Sequence, residues 1–222
     1  RARALLISPL FEEKRAAHRA LTTCARALAG AGAAVLAPDL TATGNSGGAL
    51  AETALSRWLD DLAAADALLR ARAAAPLCLI GCRAGALLAV HAHGFAPHRQ
   101  LLWHPVLAGK SYLRQLRTRR KIQDSLTGDA TQLDPREIEG VILSEALFTA
   151  LEGLAMPEAP PPGDVRLLQC SFHDTLLTEY ARLCDRWPAL RPRCIVAEPF
   201  WNPHAPGGYA ELAAAVVEEA LC

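Results

Sequence analysis

Within residues 77–89, the run Gly81-Cys82-Arg83-Ala84-Gly85 brackets a thiol and a guanidinium between two glycines. The apolar Leu77-Cys78-Leu79-Ile80 before it reads as a short buried strand, and Ala84 to Ala89 after it as a small-residue helix. That is the Gly-x-Ser-x-Gly layout that lifts a serine nucleophile to the apex of a strained strand-to-helix turn, but here Arg83 stands at the apex. A guanidinium has no usable lone pair and stays protonated, so Arg83 cannot replace the serine in attack. A helix N-terminus also disfavours a cation. Two arrangements reconcile the charge with the position. Arg83 pairs with a carboxylate, for which Glu12, Asp174 and Glu198 are candidates, or it joins the helix N-terminus in holding an anionic ligand group. The plain alternative is a tight turn with Arg83 facing water.

Two further residues stand where an acid and a base would follow a nucleophile in chain order. Asp174 ends Ser171-Phe172-His173-Asp174 after one apolar strand, and His204 ends Phe200-Trp201-Asn202-Pro203-His204 after the next. Each also has a simpler reading: Asp174 as the N-cap of a following helix, His204 as a surface residue, with His173 as an alternative base. Cys82 is the nearest nucleophilic atom, but it lies one position before the apex, where a side chain points away from the pocket. Lys110, Arg114, Arg117 and Lys121 recur at helical spacing and share one face. Such a stripe is either a solvated helix face or a patch for a phosphate, coenzyme A, an acidic glycan or an anionic lipid surface.

The elements that must carry these groups alternate. Apolar runs over 3–7, 34–37, 77–80, 100–103, 165–170 and 194–197 read as strands. Helical patterns over 16–28, 51–73, 84–93, 175–187 and 208–221 separate or follow them, and Leu10-Phe11-Glu12-Glu13 reads as a turn. The glycine-rich loop 38–48 falls at a strand's C-terminal end, where α/β proteins place their sites. Between 106 and 163 the alternation lapses. Helices over 110–126 and 135–154, joined around Thr127-Gly128-Asp129-Ala130, read as a cap-like insertion over the sheet's C-terminal edge. The pattern predicts an α/β fold: one domain over 1–222, mostly parallel, with helices on both faces and a helical insertion.

Composition narrows the function. The 222 residues carry 23 Lys+Arg and 23 Asp+Glu, a formal net charge of zero that gives no reason to expect nucleic acid. No apolar run reaches the roughly 18 residues of a membrane span. Seven scattered cysteines form no C-x-x-C pair and no metal-ligand spacing, which predicts reduced thiols, a cytoplasmic location and neither a metal nor a cofactor. A chain opening at Arg1, almost directly in a strand, suggests that an N-terminal piece precedes it.

On these residues the chain resembles the α/β-hydrolase superfamily. Within it, Gly81-Cys82-Arg83-Ala84-Gly85-Ala86-Leu87-Leu88-Ala89, Trp103-His104-Pro105-Val106-Leu107-Ala108-Gly109-Lys110 and Pro199-Phe200-Trp201 are similar to the exosortase A system-associated hydrolase 2 family, a bacterial group encoded near exopolysaccharide and exosortase genes. That family also carries arginine at the apex. The resemblance implies that Ser8-Pro9-Leu10-Phe11-Glu12-Glu13 is the oxyanion loop, so Leu10, Phe11, Glu12, Cys82 and Ala84 are expected around the pocket. Asp39-Leu40-Thr41-Ala42-Thr43-Gly44-Asn45-Ser46 resembles the superfamily's Asp-x-x-Gly-x-Gly-x-Ser loop, with Ala42 for the first glycine. Three functions follow. One is an ester or thioester hydrolase or acyl-transfer enzyme using Asp174, His204 and Arg83 without a serine. Another is an inactive module binding a small anionic or acyl molecule through Arg83, Lys110, Arg114 and Arg117, alone or as a homodimer. The third is an interaction protein docking through its basic helix.

Overall fold

The structure, a computed structural model, describes residues 2–127, 134–202 and 207–222. Six strands, β1 (Arg3–Ile7), β2 (Ala34–Leu36), β3 (Leu77–Cys82), β4 (Arg99–Trp103), β7 (Asp164–Ser171) and β8 (Arg191–Val196), form one sheet in the order β2-β1-β3-β4-β7-β8. Every pairing in it is parallel. Helices α1 (Phe11–Gly30), α2 (Leu55–Arg72), α3 (Ala84–His91), α6 (Thr178–Arg186) and α7 (Ala210–Leu221) make the crossovers and the final element.

The period of two along each strand sorts the core into two apolar clusters, one on each face of the sheet. Ala4, Leu6, Cys78, Ile80, Cys82, Trp103 and Cys170 pack with α1 and α7. Leu5, Ile7, Leu79, Leu102 and Leu167 pack with α2, α3, α6 and the inserted helices. Because both faces are covered, the central strands read as continuous apolar runs; β3 and β4 are buried at every position. Trp58, Trp103 and Trp187 are wholly buried. Each removes roughly 150–250 Å² from water, about 4–6 kcal/mol as an upper bound.

Between β4 and β7 lie α4 (Gly109–Thr127), the antiparallel strands β5 (Glu137–Ile138) and β6 (Val141–Ile142), and α5 (Glu145–Gly153). The stretch 135–154, expected as one helix, is therefore a hairpin followed by a helix. Glu139 and Gly140 join the strands, both at positive φ (49° and 89°), as a two-residue primed turn requires. The Ser144 hydroxyl then caps α5 by accepting from the Leu147 N–H at 2.9 Å. A second correction concerns residues 11–13, expected in a turn: they are the first turn of α1, where Glu12 and Glu13 suit the helix dipole. The linker Thr127-Gly128-Asp129-Ala130 lies mostly outside the described residues.

Candidate active site

At the end of β3 the chain turns within one residue. Arg83 holds φ 54° and ψ −122°, a backbone state costly for any residue with a side chain. Its N–H donates to the Trp103 carbonyl, and its own carbonyl accepts from Ala86 and Val106. The flanking glycines are dictated by space. A Cβ on Gly81 would lie 2.5 Å from the Ala86 Cα, and one on Gly85 would lie 2.5 Å from the Ile7 carbonyl oxygen. The turn has the strained apex and tight glycine contacts that the Gly-x-x-x-Gly spacing predicts, with an arginine at its apex.

That side chain lies back under the surface. Arg83 is 8% exposed and its partner Glu13 only 1%. Nε and Nη2 donate in parallel to the two Glu13 carboxylate oxygens at 3.2 and 3.1 Å, and Nη1 donates to the His104 carbonyl at 3.3 Å. The guanidinium carbon lies 4.5 Å from the Trp201 ring centroid, in cation–π range. Burial works against the Arg83 charge, but the Glu13 carboxylate more than offsets it and raises the pKa above its ordinary value. Glu13 also accepts from the Tyr112 hydroxyl at 3.2 Å, and Arg119 Nη2 stands 3.6 Å away. Burial, reinforced by Glu13, drives the Tyr112 phenol well above its usual range.

Of the three acids expected to meet Arg83, none does. The Glu12 carboxylate points outward to Arg15, and Asp174 and Glu198 are exposed. The acid is Glu13, one residue along, on the stripe that continues through Ala17, Ala20, Leu21, Cys24 and Leu28. Cys82 is not a pocket residue: its side chain packs with the α1–α7 cluster on the other face, and burial pushes its thiol well above the ordinary value. It is neither reachable nor ionised enough to attack. Leu10 and Ala84 border a small gap of about 10 Å³ lined also by Tyr112 and Leu151, and neither lines the cleft beside Arg83. Phe11, at φ 54°, begins α1 half-buried. Asp174 stands exposed after β7; His204 lies outside the described residues, so their pairing is not described. The loop 38–48 is occupied with its own structure, the Asp39 carboxylate taking Lys14 Nζ and the Asn45 N–H.

Beside Arg83 opens a cleft of about 910 Å³, lined among others by His104, Arg114, Arg119, Tyr180 and Trp201. Of the basic stripe's candidates only Arg114 borders it; Lys110 and Arg117 do not. Among the described residues no group of three or more His, Cys, Asp or Glu could hold a metal. In the sequence Glu13, His104 and Trp201 stand out only as parts of motifs and Arg119 only as added charge beside the basic stripe, while nothing singles out Tyr112 or Tyr180. The signal for Glu13 was available: it is four residues before Ala17 on the inward stripe.

No protein-family model matches the chain, and no curated protein sequence matches it. Solved structures do. Est1E from Butyrivibrio proteoclasticus, determined with ferulic acid, superposes with a TM-score of 0.68 at 14% identity, over 98% of this chain and 86% of that one. Mouse alpha/beta hydrolase domain-containing protein 10 gives 0.59 at 16% identity, over 98% and 88%. A thioesterase domain from the curacin biosynthetic pathway gives 0.58 at 16%, over 100% and 91%. At these identities the likeness is one of fold. With the parallel sheet and the elbow, it defines the molecule as having the α/β-hydrolase fold.

Proposed function

We propose that this chain is a non-catalytic α/β-hydrolase-fold protein whose cleft binds a small anionic molecule. The observation that carries the reading is the buried Arg83–Glu13 pair. It fills the apex with a guanidinium paired to Glu13 and so leaves the apex without a nucleophile. The same pair holds Arg83 in a fixed place at the edge of the cleft. Arg114 is exposed at the cleft wall and, among the described residues, has no carboxylate in salt-bridge range, so it offers an uncommitted positive charge. Leu107, Ile122, Leu177 and Trp201 add apolar lining that suits an acyl or aryl body. Affiliation with the exosortase-associated group and a cytoplasmic location belong to this proposal. The apex arginine supports the first, and seven free thiols agree with the second.

The test has two arms. Wild type and Arg83→Ser are assayed with p-nitrophenyl butyrate and an acyl thioester. Neither is expected to show saturable turnover; turnover by the wild type overturns the non-catalytic half. The wild type is then heated with 1-naphthyl phosphate. A rise in Tm that Arg114→Glu abolishes is expected, and no rise at all would sink the binding half.

A further inference from the structure

The Trp103-His104-Pro105 segment, which neither the fold nor the ion pair explains, ends β4 in an unusual way. His104 has φ 42°, is 8% exposed and borders the cleft. Its Nδ1 accepts the Cys170 N–H at 3.1 Å, so Nδ1 carries no proton and Nε2 does. The ring is fixed on both sides, 4.3 Å from the Trp201 centroid and edge-on to Tyr180 at 5.5 Å. Its Nε2–H has no partner among the described residues, yet the only side-chain polar atom sealed from solvent without a partner among them is Gln100 Oε1. The Nε2–H of His104 therefore opens onto the space that the residue lines, the cleft. Next to it, Glu13 and the His104 carbonyl take three of the five Arg83 N–H groups, leaving two.

We infer that His104 Nε2–H and the free edge of Arg83 form an oxyanion subsite in the cleft, which grips the carboxylate or phosphate of a ligand with an acyl or aryl body. This rests on the binding reading above and names its ligand class. The donor is preset: backbone hydrogen bonding selects the tautomer, and two aromatic rings hold the plane, so little ordering accompanies binding. Trp201 lines the same cleft, and Arg114, which lines it too, adds a positive charge that favours an anion there.

Protein labelled with ¹⁵N-histidine is titrated with 1-naphthyl phosphate, 1-naphthoate and neutral 1-naphthol. The expected result is a His104 ring signature of the Nε2–H tautomer before ligand. Its Nε2–H resonance then shifts saturably with either anion, at the Kd seen by calorimetry, and does not shift with 1-naphthol. The phosphate and carboxylate arms show which oxyanion is preferred. His104→Asn, whose side chain accepts the positive φ but falls short of the cleft, is expected to weaken the anions at least tenfold. If the anions bind and Arg114→Glu weakens them while the His104 resonance stays fixed, this subsite is wrong and the binding cleft stands. If neither anion binds, both fall. The resonance is read on wild-type protein, so poor folding of the variant does not remove the test.

Discussion

Truncating Arg83 to alanine takes the paired cation away from the Glu13 carboxylate, which is 1% exposed. Breaking a buried pair from one side costs about 3–5 kcal/mol, far more than a surface bridge is worth. Tyr112 and Arg119 recover part of that by still reaching the carboxylate. The double variant Arg83→Ala/Glu13→Gln removes the stranded charge, and we expect it to be more stable than Arg83→Ala alone by about 1–3 kcal/mol. Urea denaturation of the four members of this cycle measures the coupling; purely additive losses would mean that the pair is not acting as a unit. At this scale the sequence was half legible. The apex arginine and its need for an acid were evident from charge and position. Which acid answers it follows from the i, i+4 step from Glu13 to Ala17, a step that counts only because α1 begins at Phe11 and carries Glu13 on its inward face.

The strands were the most legible elements, since β1, β3, β4 and β7 are short apolar runs closed by turn residues or polar breaks. The hairpin β5–β6 was not, and the reason is specific. Its turn uses Glu139 where asparagine or aspartate usually accompanies glycine, so the chain carries helix-forming residues through a primed turn. Glu139 has another task. Its carboxylate accepts the Glu12 N–H at 3.0 Å, capping α1 from a distant part of the chain, and receives Arg119 Nη1 at 3.5 Å. Glu139→Asn should suit the turn better and reach α1 no longer. We expect a net loss of about 1 kcal/mol and at least tenfold faster amide exchange at Glu12, measured by hydrogen-exchange NMR. Unchanged exchange at that one amide would show that the long-range cap contributes nothing.

Across the whole molecule, side chains that alternate in direction along six parallel strands feed two apolar clusters, and the covering of the sheet on both faces was legible in its continuous apolar strands. What was not written is which loops converge at the strand ends, because those contacts join β4, β7 and the segment after β8 across the fold. His104 shows the consequence in stability. Burial and the neighbouring Arg83 charge push its pKa down to about 3, although the Cys170 N–H works against the fall through its bond to Nδ1. The groups that face it are the Arg83 charge from the elbow, the Tyr180 ring from α6 and the Cys170 N–H from β7, while Glu179 from α6 and Arg114 and Arg119 from α4 line the same cleft. An unfolded histidine titrates near ~6.5, so between that value and the folded one the unfolded chain binds the extra proton. The contribution is therefore complete above the unfolded pKa and is lost as pH falls toward the folded one, with a slope approaching about 1.4 kcal/mol per pH unit. Glu139, whose carboxyl is raised chiefly by burial, acts in the opposite sense over a window just above the ordinary carboxylate range. Urea unfolding of wild type and His104→Asn at pH 7, 6, 5 and 4 isolates the histidine. The variant should be the less stable at pH 7, and the gap should narrow steadily toward pH 4, because asparagine has no proton to gain. Parallel pH curves would mean that the folded protein accommodates the imidazolium, and with it that His104 is not held as a fixed neutral donor.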